Sequence, residues 1–146
     1  MLTTPVTAAV ASAGLVTVAS LAGRWRLTIT DIAGDDDARW TIGAVPLRIA
    51  HEGDALRGTV RNAMPDIACT HSATHGDALP PVPPMGPLEG TIADRTITLV
   101  LGRHWTLVGT LDAAGTVLTG DATYREHVQG IVLERRGRFV AVRLPR

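Results

Sequence analysis

One short phrase recurs along this chain. Leu56-Arg57-Gly58-Thr59, Leu88-Glu89-Gly90-Thr91, Leu107-Val108-Gly109-Thr110 and Leu118-Thr119-Gly120-Asp121 all read Leu-x-Gly-(Thr/Asp). Each copy lies in or beside a run of alternating apolar and polar residues, and turn chemistry soon follows most of them. A period of two marks a half-buried strand. Strands that follow one another through short turns make a β-meander. A meander with one apolar face must hide that face, and closing into a barrel does so without leaving an edge. The Leu and the Gly of each copy share a face, so an inward side chain accompanies an inward blank. The phrase predicts a barrel wall with room left inside.

The runs can be followed along the chain. Trp25 to Ile32 alternates, with Trp25, Leu27 and Ile29 on one face, and Gly34-Asp35-Asp36-Asp37 makes a polar turn. Arg39 to His51 changes phase: Trp40 and Ile42 are even, whereas Leu47, Ile49 and His51 are odd. A bulge or break across Gly43 to Pro46 would return both sets to the inside, and proline belongs at such a place. Ala55 to Asn62 is the next strand, and a long proline-rich insertion from Ala63 to Pro87 follows. Loops of that length in a compact domain are usually functional or disordered. Leu88–Ala93, Thr96–Leu101, His104–Leu111 and Thr116–Tyr124 then come in quick succession. A turn is expected near Arg125-Glu126, and His127–Arg135 and Arg138–Leu144 are expected to flank a second turn at Arg136-Gly137. The fold class is all-β: an antiparallel up-and-down barrel of about eight strands.

A chain of 146 residues with 45% apolar content suits one barrel domain, 23–146, preceded by an N-terminal segment, 1–22. Ala8 to Ala22 is small and apolar, but residues 1–7 carry no Arg or Lys, so the charged region of a signal peptide is missing. The run is too short and too interrupted to span a membrane. The segment is expected to be a lid or helix at the barrel, with a cytoplasmic location. The alternative is an exported protein whose residues 1–20 are a signal. Net charge is zero and every basic side chain is Arg, with no basic stripe in the sequence, which argues against nucleic acid as partner. Cys69 is the single cysteine, so no internal disulfide forms.

Gly23-Arg24-Trp25 opens the first strand and resembles the Gly-x-Trp signature of the lipocalin and calycin barrels. The resemblance implies that Trp25 closes one barrel end and packs against an Arg from the last strand, for which Arg135, Arg138 and Arg143 are available and Arg143 is chosen. The Thr-Asp-Tyr turn and the disulfide of lipocalins are absent. In size, barrel class and N-terminal segment the chain is similar to the small bacterial β-barrel cyclases of natural-product pathways.

Candidate functional residues are those facing inward. Trp40 and Trp105, with Leu27, Ile49, Met64 and Met85, are expected to line a ligand site; core packing alone is the alternative for the tryptophans. His51 and Tyr124 are inward by parity and would act as acid and base or orient a polar group; the alternative for both is a hydrogen-bonded group at a barrel end. His104 should face out. Cys69, His71 and His75 have ligand types that suit zinc, but four ligands in paired spacing are missing, so no metal is expected. No cofactor motif is present. The expected partner is a small, mostly apolar organic molecule, and the assembly could extend to a homodimer. The expected function is a cofactor-independent cyclase or isomerase acting on such a molecule. A non-catalytic carrier or sensor is the first alternative, and a filled barrel serving as a protein-interaction or inhibitory module is the second.

Overall fold

The computed structural model describes residues 20–33, 38–61, 66–70 and 80–145. Nine strands occur among them: β1 (Gly23–Ala33), β2 (Arg39–Glu52), β3 (Ala55–Val60), β4 (Asp66–Thr70), β5 (Gly86–Ala93), β6 (Thr96–Leu101), β7 (Trp105–Leu111), β8 (Val117–Val128) and β9 (Ile131–Arg143). The order β1-β9-β8-β7-β6-β5-β3-β2 closes by pairing of β2 with β1, giving an eight-stranded antiparallel barrel with β4 added against β2. No helix occurs among the described residues. This closed barrel is compatible with a calycin-like fold.

The phase change in β2 has a clear physical cause. Leu27 pairs with Val45 and Ile29 with Ile42, so β2 carries an extra residue at Gly43–Ala44; β1 compensates between Ile29 and Ile32. Asp31 there takes a left-handed φ of 54°. The same stretch is where β2 exchanges partners. Arg39–Gly43 pairs with β4, whereas Leu47–Glu52 pairs with β3. Pro46, which lacks an N–H, sits in the gap between the two ladders.

The recurring phrase pairs with itself. Leu56 lies opposite Gly90, Leu88 opposite Gly58, and Gly109 opposite Gly120. A Cβ on Gly90 would lie 2.8 Å from Cδ2 of Leu99 and 3.4 Å from Cβ of Leu56. At Gly90 and Gly109 a neighbouring side chain meets the blank, and at Gly58 and Gly120 neighbouring backbone does. Their role is to let adjacent strands coil tightly. Among the described residues, twenty-four apolar ones form one continuous core, with Trp25, Trp105 and Phe139 its largest fully buried members.

Three expectations need correction. The chain does not turn at Arg125-Glu126: β8 continues to Val128, and Gln129 and Gly130, with φ of 50° and 80°, make the turn. Two successive positive φ values match the primed hairpin turn that suits strand twist. Nor does Arg136-Gly137 break the last strand, because β9 runs unbroken from Ile131 to Arg143. Gly137 instead marks a close approach, its Cβ position lying 2.6 Å from the carbonyl oxygen of Thr30. Finally, the long insertion contains β4, whose Ile67 and Cys69 pack against the core.

Candidate functional site

The barrel has two chemically different ends. At the entry end, where β1 starts and β2 and β9 finish, the Arg143 guanidinium lies 4.6 Å over the Trp25 ring. It donates to the carbonyl oxygens of Ala22 (2.7 Å), Gly115 (3.1 Å) and Ser20. Trp25 Nε1 donates to the Leu21 carbonyl at 2.9 Å. A planar cation can stack on an indole and still donate in its own plane, which is why Arg rather than Lys suits this position. Leu21 is fully buried and plugs the end.

His51 belongs to this plug. Its Nδ1 accepts the Leu21 N–H at 3.0 Å, so its Nε2 carries the proton and donates to the Gly53 carbonyl at 2.9 Å. Both ring nitrogens are thus engaged with backbone. Ile49 pairs with Gly23 at the same end, and Leu27 pairs with Ala141 in the buried core.

The mouth is the opposite end. Trp40 pairs with Ile32 and Cys69, and Trp105 pairs with Leu101 and Tyr124. The Tyr124 ring meets Trp105 edge-on with centroids 5.4 Å apart, and its hydroxyl donates to Glu126 Oε1 at 2.6 Å. Burial, then the hydrogen bond to Glu126 and that carboxylate's charge, push the Tyr124 phenol up to about 12. His104, expected to face out, has its side chain 39% exposed. Its ring lies 5.5 Å from Tyr124, Nδ1 donates to the Arg125 carbonyl at 2.9 Å, and Nε2 is 3.9 Å from Glu126 Oε2. Trp105 is fully buried, yet its Nε1 has no hydrogen-bond partner among the described residues. A buried indole N–H normally finds one, and leaving it unpaired costs about 1–3 kcal/mol.

Above this floor the β8–β9 hairpin overshoots both neighbours. β7 pairs with β8 only as far as Tyr124, and β1 pairs with β9 only from Arg138. The projecting arm exposes Val128, Ile131 and Val132, while its Leu133 packs against the core. Glu126, Val128, Ile131 and Leu133 continue the inward parity of Tyr124. Across the mouth, Met85 is 58% exposed on the rim rather than lumenal. The proline strap before it is packed down, with Pro84 Cγ 2.6 Å from the position of a Cβ on Gly102.

The sequence-predicted residues therefore separate. Trp40, Trp105, Tyr124 and Met85 share the mouth; His51, Ile49, Trp25 and Arg143 share the entry end. Met64, His71 and His75 lie outside the described residues, as does most of the N-terminal segment. Among the described residues no cluster of three His, Cys, Asp or Glu side chains could hold a metal, and no helix is long and apolar enough to cross a membrane. Glu126 was not among the sequence-predicted residues, and His104 was expected only to face out. The signal for Glu126 was its spacing of two from Tyr124 on a strand, lost by placing a turn there.

No family model matches the chain, and neither a curated protein nor a solved structure does.

Proposed function

We propose that the protein is a carrier or sensor that binds a small, mostly apolar organic molecule at the mouth of the barrel. The carrying observation is the Trp105 Nε1, a buried donor with no partner among the described residues, beside the Tyr124–Glu126 pair at an end where the arm and rim expose Val128, Ile131, Val132 and Met85. A bound carbonyl or ether oxygen accepting from that N–H would remove its desolvation cost. The continuous apolar core through the barrel, with Trp25, Trp105 and Phe139 fully buried in it, favours a site at the mouth over a deep lumen. In this reading Trp40 and the inner face of the arm supply apolar contact, as exposed apolar rims of binding sites do. The Gly-x-Trp resemblance is consistent with a lipocalin-type carrier.

A cyclase or isomerase is less well supported. His51 and Tyr124 stand at opposite ends, so they do not form an acid–base pair around one substrate. A phenol with a pKa near 12 is also poorly matched to proton transfer at neutral pH. A second reading, a protein-interaction module, draws on Val132. It points to the outer side of the arm and is half exposed, so the arm is apolar on both faces.

Native mass spectrometry of the freshly purified chain tests the proposal. A copurifying organic molecule is expected, and Trp105→Phe should lose it while remaining folded. A ligand-free spectrum together with Val132→Ser abolishing self-association or capture of a protein partner would favour the second reading.

A further inference from the structure

We infer a second, independent binding site at the entry end: an open recess that takes the phosphate group of a phosphate monoester. The recess has a volume of about 350 Å³ and is lined by Ala22, Gly23, Arg24, Arg48, Arg143, Leu144 and Pro145. Three of those residues are arginines and none is acidic. Arg24 and Arg48 are directly opposite each other across β1 and β2. Like charges in that relationship destabilise a sheet, and a bound anion would relieve the opposition.

Among the described residues no carboxylate forms an ion pair with it. The ion pairs among the described residues lie elsewhere, at Glu126, Glu134 and Asp121. Arg24 Nη2 donates to the Pro145 carbonyl at 3.1 Å, and Arg143 donates only to carbonyl oxygens. These bonds orient the guanidinium groups without neutralising them. The guanidinium of Arg48 has no partner among the described residues.

The walls are fixed. Leu144 N–H donates to the Arg24 carbonyl at 2.9 Å and Arg143 N–H to the Thr116 carbonyl at 2.8 Å. Arg24 and Arg48, exposed neighbours across β1 and β2, suit a tetrahedral oxyanion, to which each guanidinium can present two parallel N–H groups. The volume exceeds that of a bare phosphate and leaves space for a small organic group, hence a monoester. The same chemistry is offered by a soluble phosphate ester and by a phosphatidic acid headgroup.

Titration calorimetry of the full chain with inorganic phosphate, at constant ionic strength set with chloride, tests the site. Saturable one-to-one binding is expected. Arg48→Gln and Arg24→Gln should each weaken it at least about fivefold, because each removes one fork of the pair. Arg138→Gln, outside the recess, should leave it unchanged. Both recess variants should also melt slightly higher than the unaltered chain in phosphate-free, low-salt buffer, since the like-charge opposition is relieved. Absence of saturable binding, or equal affinity in Arg48→Gln, overturns the proposal. Competition between glycerol phosphate and phosphatidic acid vesicles then separates the two sources: preference for either identifies the ligand's origin, while failure of both to compete with phosphate overturns the monoester assignment.

Discussion

The ring of Phe139 occupies the space that a side chain on Gly109 would need: an ideal Cβ there would lie 2.9 Å from Phe139 Cζ. One strand's blank is another strand's side chain. This relation puts a side chain into one blank of a repeat that reads as hollow, and it supports the proposal of an apolar site at the mouth rather than in the middle.

Phe139→Ala should reopen that space. The expected cost is about 3–5 kcal/mol, the usual range for truncating a buried phenylalanine. The resulting apolar cavity should stay dry and admit a small arene, as engineered apolar cavities do. Denaturant unfolding measures the first effect, and stabilisation of the variant, but not of the parent, by benzene measures the second. Equal response of the two chains would mean that the middle of the barrel is already open.

Arg143→Lys should not preserve the entry-end plug. The ammonium can neither stack flat on Trp25 nor reach three carbonyls in separate directions. A loss of about 2 kcal/mol is expected from the broken charge-assisted hydrogen bonds and the lost ring contact. Unfolding followed by tryptophan fluorescence checks this, and a Lys variant as stable as the parent would show that the stack contributes little.

Tyr124 is the only tyrosine, so its phenolate absorption band reports one group. Its folded pKa is raised from 10.0 to about 12. The native state therefore holds the proton more tightly than the unfolded chain, and the associated stability is fully present below the unfolded value. It is lost as pH rises from about 10 towards 12. Spectrophotometric titration should place the transition well above that of a free phenol, and Glu126→Gln should lower it by removing the adjacent charge. Over the same pH window Tyr124→Phe should lose less stability than the parent. A midpoint near 10 in the folded protein would contradict the buried Tyr124–Glu126 pair.

Much of the barrel was legible because period-two alternation survives translation into a closed sheet. The bulge at Gly43–Ala44 could be located from the switch of inward parity between Ile42 and Leu47, with Pro46 as its marker. The Trp25–Arg143 geometry followed the choice suggested by the Gly-x-Trp resemblance. What misled was local turn chemistry. Arg136-Gly137 has the composition of a turn, yet its glycine serves a close approach of β9 to Thr30, a tertiary demand that no local pattern announces. The true turn, Gln129-Gly130, carries a weaker local signal. Misplacing it hid the arm and detached Glu126 from Tyr124. His51 shows the same limit: parity says which face a residue takes, but not that both ring nitrogens will be taken by Leu21 and Gly53. The size of the Gly109 blank depends likewise on Phe139, thirty residues away in the chain.

The most direct test of the mouth site is the indole N–H resonance of Trp105, assigned with Trp105→Phe and followed as a fused-ring aromatic ketone such as fluorenone is titrated into the labelled protein. The account predicts that this donor, which has no partner among the described residues, shifts downfield and saturably on donating to the ketone oxygen, while the Trp25 indole, already bonded to Leu21, stays in place. A Trp105 resonance that does not move while the ketone binds, or one that already shows a hydrogen-bonded shift in ligand-free protein, would contradict it.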